Sequence, residues 1–256
     1  MIAIIAFASC KKTVVIPQQE EISSATLARI SAHGFGTTAV QKIDEGYLVE
    51  GDIILTEEFL GQRPAGNLLR IANNEQYRTT NLVTGPRVIT LALDSKLAAK
   101  DGYGQALQVV ADRYNAENLT ITFTVVSSGA NITFSNANGS YLASAGFPTG
   151  GNPFGSVSVN SRAIGTGTSS TFLNYLATIL AHEAGHCIGF RHTDYMDRSF
   201  SCGGAYSNEG ASSVGAILIG TTPAGPDAAS WMLACIGSGK NRPFNANDKL
   251  ALGFLY

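Results

Sequence analysis

Apolar and polar residues alternate in short, separable patterns along this chain. From Glu20 to Ile30 the apolar positions have roughly helical spacing, and His33-Gly34-Phe35-Gly36 is turn chemistry. Tyr47 to Leu55 reads as a strand broken at an acidic-glycine corner, Glu50-Gly51-Asp52. Thr56 is placed to cap a short helix through Leu60, and Pro64 and Gly66 mark a break. Arg87 to Leu93 is an apolar run of β type. Ser95 to about Ala116 predicts one long amphipathic helix that buries Leu97, Ala98, Leu107, Val110, Ala111 and Tyr114, although Gly102 and Gly104 weaken its first half. Thr120 to Val126 alternates strictly and predicts a strand. Asn131–Phe134 predicts another, and so does Ser156–Asn160, after a Gly/Pro-rich loop from Gly146 to Gly155. Ser170 to about Cys187 predicts a helix with a broad apolar face of Phe172, Leu173, Leu176, Ile179, Leu180 and Ile188. Beyond His192 the chain is rich in Gly, Ser and Asn until Phe244–Tyr256, which reads as a capped helix. This order predicts an α+β fold: a twisted mixed sheet with helices packed on one side.

The end of the long helix carries the densest chemistry. It reads His182-Glu183-Ala184-Gly185-His186-Cys187-Ile188-Gly189-Phe190-Arg191-His192, or H-E-x-x-H-x-x-G-x-x-H. On a helix, His182 and His186 lie one turn apart on one face, so both imidazoles can reach one metal ion. Gly189 can take φ > 0 and turn the chain sharply, which lets His192 return as a third ligand. Three nitrogen ligands with one open position describe a catalytic zinc site, whereas structural zinc sites are closed by four. Glu183 follows the first ligand and can serve as a base without binding the metal. The chain has only four His and three lie here, which weighs against the alternative of a buried helix with incidental His and Glu.

This stretch resembles the metzincin clan of zinc metallopeptidases, and within it the bacterial dual-action HEIGH metallopeptidases. The resemblance runs from about Gly46 to Tyr256 and is most specific at the zinc motif, at Ser230-Trp231-Met232 and at Phe244–Tyr256. It implies a zinc-dependent endopeptidase holding one Zn2+ through His182, His186 and His192. Glu183 would act on the attacking water, and peptides or proteins would be the substrates. It also implies helices above the cleft, a mostly irregular or helical lower subdomain, and a last strand before the zinc helix that lines the cleft. Met232 would supply the methionine turn packed under the ligands. The position two residues on is Ala234, so no tyrosine switch is assigned there. Asp194 either orients a ligand histidine or caps a turn.

Composition adds a setting. Charged residues make up 14% and the net charge is −2, so there is no basic patch for nucleic acid. The 28 glycines suit an exported protein with many turns. Glycine-rich phosphate loops and G-x-S-x-G elbows are absent. Phe7-Ala8-Ser9-Cys10, closing an apolar stretch, resembles the end of a bacterial lipoprotein signal. Residues 1–10 would then be a signal remnant and Cys10 the lipidated residue, the sole link to a membrane; the alternative is a buried strand with an incidental Cys. Export makes a Cys202–Cys235 disulfide plausible and leaves Cys187 as a buried thiol.

Residues 11–78 precede the expected catalytic domain, 79–256, and suggest a pro-segment. A zymogen needs a group that blocks the open metal position, and a carboxylate can do so. Asp52 is the candidate because Gly51 permits close approach; the alternative is a solvated turn carboxylate. Gln76 to Thr80 looks exposed, which places the mature start near Arg78 or Thr79. The rival function is a cell-surface adhesion module that keeps zinc for structure alone; a closed coordination sphere or a missing glutamate would favour it. Asn208, Glu209 and Asp227 are too scattered to define a calcium loop.

Overall fold

A computed structural model of the chain describes residues 21–62, 76–209, 216–220, 222 and 226–256. The signal-like stretch with Cys10 and the Pro64/Gly66 break lie outside them. The first unit comprises α1 (Ser24–Ala32), β1 (Gln41–Ile43), β2 (Gly46–Val49), β3 (Ile53–Leu55) and α2 (Glu57–Gly61). Ser23 caps α1 and Thr56 caps α2 through their side-chain oxygens. The three strands form an antiparallel meander. Between β2 and β3 the chain turns on Glu50 and Gly51, at φ 55° and 89°. This unit has its own apolar cluster, which includes Ile30, Phe35, Val49, Ile53, Leu55 and Phe59.

The body follows with β4 (Tyr77–Arg78), β5 (Arg87–Leu93), α3 (Ser95–Ala98), α4 (Tyr103–Asn115), β6 (Ile121–Val125), β7 (Ile132–Asn136), β8 (Ala143–Ser144) and β9 (Ser156–Val159). Then come α5 (Ser161–Ile164), α6 (Ser170–Ile188), α7 (Ser199–Cys202), β10 (Ile217–Leu218) and α8 (Ala246–Leu255). The main sheet runs β6-β5-β7-β9-β8, parallel except for β8, which pairs antiparallel with β9. α4 and α6 pack together, and α4 covers β5 and β6, which encloses the main core. After α6 the chain holds little regular structure until α8, so the fold is α+β with an irregular lower part.

Two sequence readings need correction. The helix expected over 95–116 is two helices. Asp94 caps the first by accepting from Leu97 N–H at 2.7 Å. The break falls at Gly102, whose φ is 89° and whose missing side chain makes room for the Gly167 carbonyl. The cleft-side edge of the sheet is β8, not the last strand β9; an Ala-Ser pair between loops carries too little alternation to predict it.

The stretch from Gln76 to Thr80 is also not exposed: Gln76, Tyr77 and Thr79 are buried. β4 pairs with β10 and accepts Arg191 N–H at the Tyr77 carbonyl, 2.8 Å away. Gln76 Nε2 donates to Ser230 Oγ at 3.1 Å and to Asp248 Oδ1 at 2.6 Å. Asp248 is fully buried, closes the capping box of α8 with Asn245, and also accepts from Ser230 Oγ and Trp231 N–H. A chain starting at Thr79 would lose β4 and this network together.

Burial pushes the Asp248 carboxyl up to about 7 from 3.8, against hydrogen bonds from Asn245, Ser230 and Trp231. Between those values the folded chain holds a proton that the unfolded chain has released. Stability from this residue is therefore present below the lower value and lost as pH rises through the upper one. Asp248→Asn, which does not titrate, should destabilise more at pH ~5 than at pH ~8 in urea unfolding. Equal losses at the two pH values would remove this reading of the network.

Candidate active site

Ser169 starts α6 by accepting Phe172 N–H at 3.2 Å. The helix then runs through the core, with every residue from Tyr175 to Ile188 buried. It stops at Gly189, φ 113°, whose N–H reaches the carbonyls of Gly185 and His186. A side chain at Gly189 would press on Leu82 and the Asn81 carbonyl. The turn carries His192 back towards the helix. The rings of His182, His186 and His192 lie with centroids 4.7, 4.9 and 5.3 Å apart.

Each ring is fixed from behind. His182 Nδ1 is 2.9 Å from the Trp231 carbonyl and His186 Nδ1 is 2.8 Å from the Phe190 carbonyl. A carbonyl only accepts, so both Nδ1 atoms carry hydrogen and both Nε2 atoms present a lone pair. Those two Nε2 atoms are buried and have no hydrogen-bond partner. His192 Nδ1 is held by Glu209 Oε1 at 2.9 Å. His192 Nε2 faces Asp52 Oδ2 at 3.1 Å, and His182 Nε2 faces the same oxygen at 3.7 Å. Ligand atoms of Asp52, His182, His186 and His192 all lie within 4.8 Å of one another. A buried nest of lone pairs without donors is costly unless a cation fills it, and this donor set suits zinc. The residues therefore fit the metal that the motif implies.

Electrostatics follow the geometry. Burial, aided by the charges of His182 and His192, holds His186 well below the usual imidazole range. Burial pulls His192 the same way, but Asp52 and Glu209 overcome it and raise it. Asp52 also feels burial upward; the His192 charge and the hydrogen bond to His192 win and hold its carboxyl well below the usual range. Burial, with Asp52 adding to it, pushes Glu183 well above the usual range. Glu183 Oε2 is buried without a hydrogen-bond partner.

Beneath the cluster, Met232 is fully buried. A side chain on Gly185 would come within 2.6 Å of Met232 Sδ and 3.2 Å of Trp231 Nε1, so glycine at the centre of the motif is what lets this turn pack against the helix. Thr193 N–H donates to the Met232 carbonyl at 3.0 Å, which ties the third histidine's loop to the turn. Asp194 makes no hydrogen bond or ion pair to a histidine among the described residues. It accepts from Ala234 N–H at 2.9 Å and from Ser201 Oγ at 2.6 Å, binding two loops of the lower part. The residue that orients His192 is Glu209, which sequence reading set aside among scattered acids. Cys202 and Cys235 are bonded across a separation of 33 residues, and Cys187 is a buried free thiol.

The first unit enters the cleft along β8. Ala145 N–H donates to the Asp52 carbonyl at 2.9 Å, and Ile54 N–H to the Ala145 carbonyl at 2.6 Å, in a parallel sense. Glu50 forms a buried ion pair with Arg191, and its carbonyl accepts from Arg198. Burial pushes the Glu50 carboxyl up to about 8; Arg191 opposes this and nearby Glu209 adds to it. Arg191 in turn lies over the Phe35 ring at 4.5 Å. Phe35 and Glu50 were not legible as part of the site, because they lie far from the motif in sequence.

No curated protein matches the chain. Similar solved structures include that of myroilysin, at 17% identity and a TM-score of 0.42, spanning 69% of this chain and 96% of that one. Another is the GM1-bound form of the ECX AB5 holotoxin, at 17% identity and a TM-score of 0.33, spanning 53% of this chain and 66% of that one. The family described as the dual-action HEIGH metallo-peptidases matches residues 48–256, from just upstream of Asp52 to the last residue. The chain belongs to that metallopeptidase family.

Proposed function

We propose that this protein is a zinc-dependent endopeptidase made as a latent precursor. The supporting observation is the buried convergence of His182, His186 and His192 on one point, with two Nε2 lone pairs unpartnered. These three would hold one zinc ion. When bound, the ion would polarise the scissile carbonyl and lower the pKa of a water towards ~7. Glu183 would take that water's proton on its carboxylate and return it to the amine nitrogen as the C–N bond breaks. Glu209 would keep His192 aimed, and Met232 would pack beneath the ligands.

Asp52 would occupy the fourth position in the precursor. A sphere closed by four ligands is also what a non-catalytic, zinc-stabilised surface module would have, so that second reading merits a test. Two features favour latency over it. Asp52 comes from a unit with its own apolar cluster, and Glu183 stands beside the site with an unpartnered oxygen. We place the boundary of the catalytic body before Gln76, because β4 is built into it. Export, with tethering through Cys10 or free secretion, fits the Cys202–Cys235 disulfide, and mass spectrometry of the mature amino terminus tests it.

Metal analysis combined with peptide digestion tests the function. The chain should bind about one zinc ion, and His192→Ala should lower zinc affinity roughly tenfold or more. Chelation should abolish cleavage and added zinc restore it. Cleavage that persists at full rate after the metal is stripped would end the proposal.

A further inference from the structure

A cavity of about 300 Å³ opens beside His182 and Glu183, between α6 and the segment that follows Met232. That is room for one full side chain. Leu142, Ile179, Leu233 and Ile236 give it apolar walls, and two cations, Arg198 and Arg242, also line it. The two differ in what already holds them. Arg198 Nε is 3.1 Å from the Glu209 carboxylate and its guanidinium also serves the Glu50 carbonyl. Arg242 forms no ion pair among the described residues, although it feels the charge of Asp194, whose oxygens accept from Ala234 N–H and Ser201 Oγ. One of its Nη atoms donates to the Cys235 carbonyl at 2.8 Å, and its backbone N–H is fixed by Thr178 Oγ1 at 3.0 Å. The wall behind it is braced as well: Cys235 is bonded to Cys202, and its N–H donates to Ser201 Oγ at 3.0 Å. A positioned guanidinium with donors to spare, lining the same partly apolar pocket as His182 and Glu183, can take an anionic partner.

Building on the peptidase reading above, we propose that Arg242 makes this pocket selective for an acidic side chain, Asp or Glu, at one of the two substrate residues flanking the scissile bond. The apolar walls would take the methylene stem and Arg242 the carboxylate. In that low-dielectric setting the charge-assisted pair gains strength, while a lysine or arginine side chain would be repelled.

The test uses the full-length chain loaded with zinc, with and without Asp52→Ala to relieve the cleft, and a peptide library randomised at both flanking positions. Acidic residues should be enriched about tenfold or more over basic ones at one position. Arg242→Gln, which can still donate to the Cys235 carbonyl, should flatten the preference; Arg242→Glu should reverse it towards Lys and Arg; Arg242→Lys should keep it. Thermal melts identify variants that fail to fold, and the Lys and Gln variants carry the decision if the Glu variant does. A parent that cleaves without acidic preference, or a preference unchanged in the folded Gln variant, overturns the assignment while leaving the peptidase reading standing. Zinc-loaded chains that cleave in neither background, nor as a chain starting at Gln76, overturn the peptidase reading and this assignment with it.

Discussion

Glu183→Ala is expected to keep its zinc and lose two to four powers of ten, roughly, in peptide turnover. Metal retention follows from the site: Glu183 is not among the residues whose ligand atoms converge, which are Asp52, His182, His186 and His192. The fold should also survive. Glu183 Oε2 has no hydrogen-bond partner, so its removal leaves no donor stranded there. Burial already penalises the charged carboxylate, so loss of that charge is no threat to stability. Zinc content, melting temperature and turnover should be measured on the same preparation. A variant that folds, carries zinc and cleaves at the parental rate would remove Glu183 from the chemistry. One that loses its zinc would mean the residue belongs to the coordination sphere.

Asp52→Ala should do the opposite and raise the activity of the full-length chain, by about tenfold to a hundredfold. That range is the equilibrium equivalent of one charge-assisted hydrogen bond. The gain should stop short of full release, because other ties still hold the first unit in the cleft. Among them are the Glu50–Arg191 ion pair, the bond from Arg198 to the Glu50 carbonyl, the short ladder to Ala145 and the contact of Phe35 with Arg191. Adding Glu50→Gln should raise activity further, since Arg191 then loses a buried partner across the joint. A chain starting at Gln76 sets the upper limit. If Asp52→Ala leaves the rate of the full-length chain unchanged while that shorter chain is no more active, residues 21–62 have no role in latency.

How much of this could be read in advance depended on distance along the chain. His182, Glu183, His186 and Gly189 lie within three turns of one helix, so helical geometry alone aligns them. The strands of the sheet were legible where alternation was long, as at Ile121–Val125, and lost where it was short, as at Ala143–Ser144. Gln76 and Thr79 read as surface because they are polar. They are buried because each finds partners: Ser230 and Asp248 for Gln76, and the Gly189 carbonyl for the Thr79 N–H. Glu209 and Glu50 depend on tertiary approach and leave no local pattern. Asp52 was suggested by the chemistry of its turn, but its separation from His192 by 140 residues put the contact itself beyond any sequence argument.

Phe147 belongs to the apolar cluster of the first unit, although it is carried by the body, and its ring lies 5.5 Å from that of His186. On the latency proposed above, the rest of that cluster would leave with its meander and both capped helices. Severing the connection would then not in itself free the site, because a detached piece that kept these contacts would bind in trans, with a hold that weakens on dilution. Once it had gone, an aromatic surface would lie bare at the rim of the metal site, and the next polypeptide to settle there would gain by covering it.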